Sequence, residues 1–135
     1  MKKILRAFFS VLLYIWQLPQ IILGLCLLLV YRAKKFDTLQ GIHYFKGYMR
    51  GAISLGQIVI TSKYNSTRGE IIKHEFGHTV QSKILGPLYL LIIGIFSGIH
   101  AWIDCKTCKT HPDDYYHYWT ESWANKLADK YYKET

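Results

Sequence analysis

Cysteine is scarce in this chain of 135 residues: there are three, and Cys26 lies inside an apolar run, which leaves only Cys105 and Cys108 as a neighbouring pair. No disulfide framework is implied. Acidic residues are scarce as well, nine against 17 Lys and Arg, for a formal net charge of +8 at pH 7. That excess does not form a stripe of its own. It flanks two long apolar runs, which points to a membrane surface and not to nucleic acid, for which no motif is present. The chain also lacks a small-x-small cleavage site after its first apolar run, and that run is too long for a secretory leader. The length allows one domain, residues 1–135, with a modest core.

Half of the residues are apolar and 16% are aromatic. Residues 1–6 are basic, and residues 7–31 are an apolar run that carries Ser10 and is interrupted at Gln17, Pro19 and Gln20. At about 1.5 Å per residue such a run is long enough to cross a hydrocarbon core, so a retained membrane anchor is expected, with Pro19 as a kink or the tip of a helical hairpin. A basic cluster at 32–35 closes it. Residues 47–60 alternate loosely and end in Gln57-Ile58-Val59-Ile60, bounded by glycines and by a turn-like Lys63-Tyr64-Asn65-Ser66. One or two short strands are expected there. An edge strand at that place either holds an extended peptide by main-chain hydrogen bonds or merely completes a small sheet. Asn65-Ser66-Thr67 matches a glycosylation acceptor but reads as turn and helix cap.

The chemistry concentrates in Ile71 to Ser82, which contains His74-Glu75-x-x-His78. On a helix this spacing places both imidazoles on one face, one turn apart, where they can grip one metal ion. Glu75, beside the first histidine, is placed to act as a general base on a metal-activated water. A helix over 67–83 is expected, because Thr67 and Glu70 form a capping box and Ile71, Ile72, Phe76 and Val80 supply apolar residues to pack inward. Gly77 costs about 1 kcal/mol in a helix interior relative to Ala, which suggests close approach by another backbone.

The second apolar run, residues 84–103, begins with Gly86-Pro87, contains Gly94, Ser97 and Gly98, and ends at His100, Trp102 and Asp104. It could span a bilayer, and its end has an interfacial character. Residues 105–111 have the spacing of half a zinc site or of a redox pair. No second half lies nearby, however, and Lys106 and Lys109 would oppose a cation. A last helix is expected over 113–133, capped by Asp113 and Asp114 after Pro112, with an apolar stripe of Tyr116, Trp119, Trp123, Leu127 and Tyr131.

A catalytic zinc, Zn2+, needs about three protein ligands and an open position. The downstream candidates are His100, Asp104, His111, His117 and Glu121. Glu121 is favoured because Ala124 and Ala128 on its side would let its helix pack close to the motif helix, and Asn125 at i+4 could orient a zinc-binding imidazole as a second-layer partner. The chain here resembles the gluzincin class of zinc metallopeptidases, whose pattern is H-E-x-x-H followed by E-x-x-x-D on a later helix. His-Glu-Phe-Gly-His-Thr-Val-Gln-Ser joined to an apolar run also looks like small membrane-bound bacterial zincins of uncertain substrate. The resemblance covers about a tenth of the chain, at His74–His78 and Glu121–Asn125. It implies His74, His78 and Glu121 as metal ligands and Glu75 as the base, and Asn125 departs from its aspartate.

Together these readings predict an α+β, mostly helical, zincin-like mini-domain with a short sheet and one or two membrane segments. If both apolar runs crossed the membrane once, the histidines and Glu121 would lie on opposite sides. The second run would therefore fold back at Gly94 or at Ser97-Gly98, or the third ligand would lie elsewhere. Residues 32–83 hold nine Lys or Arg against three Asp or Glu, and the amino terminus adds three more basic residues, which favours a cytoplasmic catalytic face at the cell membrane. The expected activity is hydrolysis of a peptide or membrane-protein substrate at the bilayer surface, with His117, and after it Tyr118, as oxyanion donor. The rival readings are a membrane-embedded binding or scaffold protein in which the histidines hold a structural metal or none, and a metal sensor or carrier using Cys105, Cys108 and His111 with the histidine pair.

Overall fold

Two local constraints break the first apolar run. In the computed structural model, which describes residues 1–64, 69–107 and 118–133, helix α1 spans Lys2–Trp16 and helix α2 spans Leu18–Val30. Pro19 lacks an N–H and its ring collides with the carbonyl four residues back, so α1 cannot continue through it. The two helices meet at Gln17 with a bend of 71°, and among the described residues no single helix is long and apolar enough to cross a membrane. The anchor expected over 7–31 is thus a broken pair.

The sheet has four strands, two more than residues 47–60 suggested: β1 Lys34–Leu39, β2 Ile42–Gly47, β3 Ala52–Leu55 and β4 Ile58–Ser62. Their order is β1-β2-β4-β3, with β2 parallel to β4 and the other pairs antiparallel. The β1–β2 turn puts both Gln40 and Gly41 at positive φ, which matches the right-handed twist of the strands it joins. Central strand β4 is buried on both faces. Ile58 meets Gly24 of α2 on one side. On the other, Val59, Ile42 and Tyr44 pack with Phe76 to form the core. Among the described residues no strand pairs with the outer edge of β3.

Helix α3, Gly69–Leu85, follows the sheet, with Glu70 in its first turn. Thr67, the other half of the expected capping box, lies outside the described residues. Gly86 at φ +54° and Pro87 end the helix, and the chain bends by 113° before continuing through a π-helical turn, Leu90–Gly94, into helix α4, Ile95–Thr107. The second apolar run therefore turns at its beginning. It does not reverse at Gly94 or at Ser97-Gly98, which lie in the continuous π-turn and α4. Buried Gln17 and Gln20 tie the first helix pair to this corner, Gln17 Nε2 donating to Ser82 Oγ at 3.1 Å and Gln20 Nε2 to the Gly86 carbonyl.

Helix α5, Trp119–Tyr131, closes over α3. Residues 113–117 of the helix expected over 113–133 lie outside the described residues. The face of α5 that packs inward carries Thr120, Glu121, Ala124 and Ala128, whereas Trp119 and Tyr131 of the aromatic stripe are exposed. The fold is α+β, five helices with a four-stranded sheet among the described residues.

Gly77 is the contact point of α3 and α5. A Cβ there would fall within the carbonyl group of Ala124. Gly77→Ala gains about 1 kcal/mol of helix propensity but must push the helices apart, and steric costs of about 3 kcal/mol or more dominate. Gly98, whose added Cβ would meet nothing within 4 Å, is the control. Thermal unfolding is expected to show Gly77→Ala strongly destabilised and Gly98→Ala unchanged or slightly more stable.

Candidate metal centre

One turn of α3 separates His74 from His78, and their rings meet edge to face with centroids 4.8 Å apart. The two Nε2 atoms are 3.2 Å apart. Glu121, in the first turn of α5, brings Oε2 to 3.1 Å from His74 Nε2 and 3.0 Å from His78 Nε2. Ligands at 2.0–2.1 Å from a tetrahedral ion are about 3.3 Å from one another, so this near-equilateral triangle has the size that zinc requires. The three residues form a group able to hold a metal ion, with His78 and Glu121 buried and His74 partly so.

The hydrogen bonds on the far side of each ring decide which nitrogen is bare. His74 Nδ1 lies 2.7 Å from Asn125 Oδ1, and His78 Nδ1 lies 2.8 Å from Gln81 Oε1. Both amide oxygens accept only, so each Nδ1 carries the proton and each Nε2 presents a lone pair. The Gln81 amide is itself fixed, because its Nε2 donates to the Thr120 carbonyl at 2.8 Å. Ser97 Oγ, from α4, donates to Glu121 Oε1 at 2.8 Å and leaves Oε2 for the cluster. With the imidazole protons on Nδ1, three lone-pair donors face one another at contact distance, an arrangement that repels itself unless a metal ion lies among them or a proton is taken up at Nε2.

The electrostatics follow. Burial alone would raise the Glu121 carboxyl, but hydrogen bonds from His74, His78 and Ser97 hold it well below the usual carboxylate range. Burial pulls His78 down, and the Glu121 hydrogen bond with the charges of Glu75 and Glu121 more than offsets this and pushes it up. The negative potential of Glu121 and Glu75 that favours a proton on His78 also favours a divalent ion, which takes that proton's place.

Glu75 stands apart from the triangle but lines the same cavity of about 600 Å³. Ser54 on β3 holds it: the Ser54 hydroxyl lies 2.6 Å from Glu75 Oε2 and 3.0 Å from the Glu75 carbonyl, and shares its one hydrogen between them. Tyr89 in turn donates from its hydroxyl to the Ser54 carbonyl at 3.0 Å. The cavity wall therefore comprises the edge strand β3, the His74–His78–Glu121 triangle, and Tyr89, Ile93 and Gly94 at and after the bend.

The structure brings His74, His78, Glu121, Asn125 and Glu75 together. His117, His111 and Cys108 lie outside the described residues, as do the side chains of Asp104 and Cys105. His100 does not join the triangle; its ring stacks on Tyr118 at 3.7 Å, and neither is among the described residues that line the cavity. Ser54, Ser97 and Gln81 were not singled out from the sequence for the site. Gln81 was accessible to helix spacing, three residues after His78, whereas the two serines meet their partners only across 21 and 24 residues of chain.

Comparison of the chain with protein-family models, with curated proteins and with solved structures gives no match. The site's chemistry therefore rests on its geometry. If Asn125 and Gln81 fix the imidazoles as described, Asn125→Ala and Gln81→Ala each weaken zinc binding by about 10- to 100-fold in competition with a chromophoric chelator. Glu75→Gln should leave zinc affinity unchanged. Full affinity in both amide variants would contradict the assignment.

Proposed function

We propose that this chain is a zinc metallopeptidase of gluzincin type that hydrolyses peptide bonds at a membrane surface. The observation that carries the reading is the convergence of His74 Nε2, His78 Nε2 and Glu121 Oε2 beside a carboxylate, Glu75, that shares their cavity without entering their triangle. A structural metal site has no need of that fourth group. Zinc held there supplies a Lewis acid that polarises the scissile carbonyl and makes water acidic near neutral pH.

The chain's own residues supply the rest. The Ser54 hydroxyl occupies Glu75 Oε2, so Oε1 is the atom that takes a proton from the attacking water and returns it to the leaving amine. Strand β3 lies along the same cavity and offers its outer edge to an extended substrate, which would add to the sheet by main-chain hydrogen bonds. The bend between Leu88 and Leu90 keeps α4 beside the cavity, where Ser97 steadies Glu121.

The membrane part of the reading rests on exposed apolar side chains. Helix α1 buries no residue, and Ile4, Phe8, Phe9, Ile15 and Trp16 on it are all exposed, as are Phe96, Ile99 and Trp102 on α4. Soluble monomers rarely leave a contiguous surface of this kind bare. Lys2, Lys3 and Arg6 at the start of α1 complement anionic lipid, and the two bent helix pairs suit a seat in one face of the bilayer, with the catalytic side toward the cytoplasm.

Zinc-loaded protein in detergent is expected to cleave a quenched fluorescent peptide library. Glu75→Gln should lose about 10²- to 10⁴-fold of that activity with zinc still bound, and Ser54→Ala about tenfold. Cleavage retained by Glu75→Gln would refute the general-base role. Replacing Lys2, Lys3 and Arg6 together by Gln should weaken binding to anionic vesicles by about 100-fold, and unchanged binding would remove the lipid contact from the account.

A further inference from the structure

The cavity at the metal centre continues past the beginning of β3. Met49, Arg50, Gly51 and Ser62 line both it and a second cavity of about 560 Å³, whose remaining walls are Tyr48 and Tyr64. Arg50 is exposed at this junction and makes no hydrogen bond or ion pair among the described residues. Lys63 lies against the tyrosines that wall the second cavity, its Nζ 3.7 Å from the centre of the Tyr48 ring and 5.4 Å from that of Tyr64.

The surroundings of this second cavity are positive. A hydrogen bond and charge from Lys63, with charge from Lys34 and Arg32, hold the Tyr48 phenol below its usual range. Among the described residues no carboxylate lines the second cavity, and the two that line the first, Glu75 and Glu121, are at the metal end. One continuous cleft therefore has an acidic, metal-ligating end and a cationic, aromatic end, joined by an edge strand.

Chain length bounds what reaches the cationic end. Arg50 stands in the bend just before β3, four positions from Ser54, which touches Glu75. Fully extended, four positions reach at most about 13–14 Å. A peptide paired to β3 keeps step with it over Ala52–Leu55, and a group that meets Arg50 then belongs to a residue no more than about four positions from the bond beside Glu75. A planar guanidinium without a partner suits a carboxylate, which it binds through two parallel hydrogen bonds.

We infer that Arg50, with Lys63 on the tyrosines that wall the same cavity, forms a carboxylate-binding subsite that selects peptides carrying an Asp or Glu side chain, or a free C-terminal carboxylate, within about four residues of the cleaved bond. The subsite deepens the peptidase reading and rests on it. An arginine serving an anionic lipid headgroup instead would not need to share a cavity with the catalytic carboxylate.

The test measures binding, so that it does not depend on turnover. Zinc-loaded Glu75→Gln protein in detergent is titrated with fluorescein-labelled octapeptides of one apolar sequence. These carry Glu or Gln at the last position but one, each as a free acid and as a C-terminal amide. The Glu peptides, the free acids or both should bind about tenfold more tightly than the Gln amide, and the comparison identifies which carboxylate is read. Adding Arg50→Gln should bring all four to the affinity of the Gln amide, with zinc content unchanged as the check that the fold is intact. Arg50→Glu should reverse the preference toward a Lys peptide. Equal binding of all four peptides, binding of none, a preference that survives Arg50→Gln, or an Arg50→Gln defect confined to anionic vesicles would each overturn the inference. Failure of the peptidase reading shows separately, as peptide binding without cleavage by the zinc-loaded wild-type protein.

Discussion

The approach of α5 to α3 at Gly77 and Ala124 is the contact on which the site depends. Glu121 lies one turn before Ala124 and Asn125 follows it, so the distance between these helices sets where both meet the imidazoles of His74 and His78. A residue larger than glycine at 77 would strike the Ala124 carbonyl group. The buried face of α5 is accordingly small and polar, and Trp119 and Tyr131 of its aromatic stripe are left at the surface, the reverse of what burial of apolar area alone would favour. Close packing at one point thereby serves chemistry at the next turn.

A second layer of contacts turns that proximity into a donor set. Asn125 and Gln81 keep protons on the outer nitrogens of the two rings, Ser97 holds the outer oxygen of Glu121, and Ser54 holds Glu75. These four partners come from β3, α3, α4 and α5. The sheet and the bend after α3 are therefore parts of the site as well as of the scaffold, and the Gln17 and Gln20 side chains tie the broken amino-terminal helix pair to the same corner.

Much of the motif helix was legible because its rules are local. Spacing of four puts two histidines on one face, and a glycine in a helix interior asks for a close neighbour, which proved to be the backbone of α5. The first two strands were not legible. β1 is charged and exposed over nearly its whole length, Lys34, Lys35 and Asp37 included, so no alternation marks it. β2 is interrupted by His43 and Lys46, and its parallel pairing with β4 is a long-range choice that no local pattern announces. The turn of the second apolar run was placed at its inner glycines, whereas Gly86 and Pro87 end α3 earlier. A glycine within an apolar run does not by itself stop a helix; one at positive φ followed by proline does.

X-ray absorption at the zinc edge of the zinc-loaded protein tests the central claim most directly, because it reads the identity and distance of the atoms around the ion. The account predicts a shell of nitrogen and oxygen at about 2.0–2.1 Å with the outer-shell scattering of two imidazoles and no sulfur. A shell containing sulfur at about 2.3 Å, as Cys105 and Cys108 would give, or one with no imidazole signature, would contradict it.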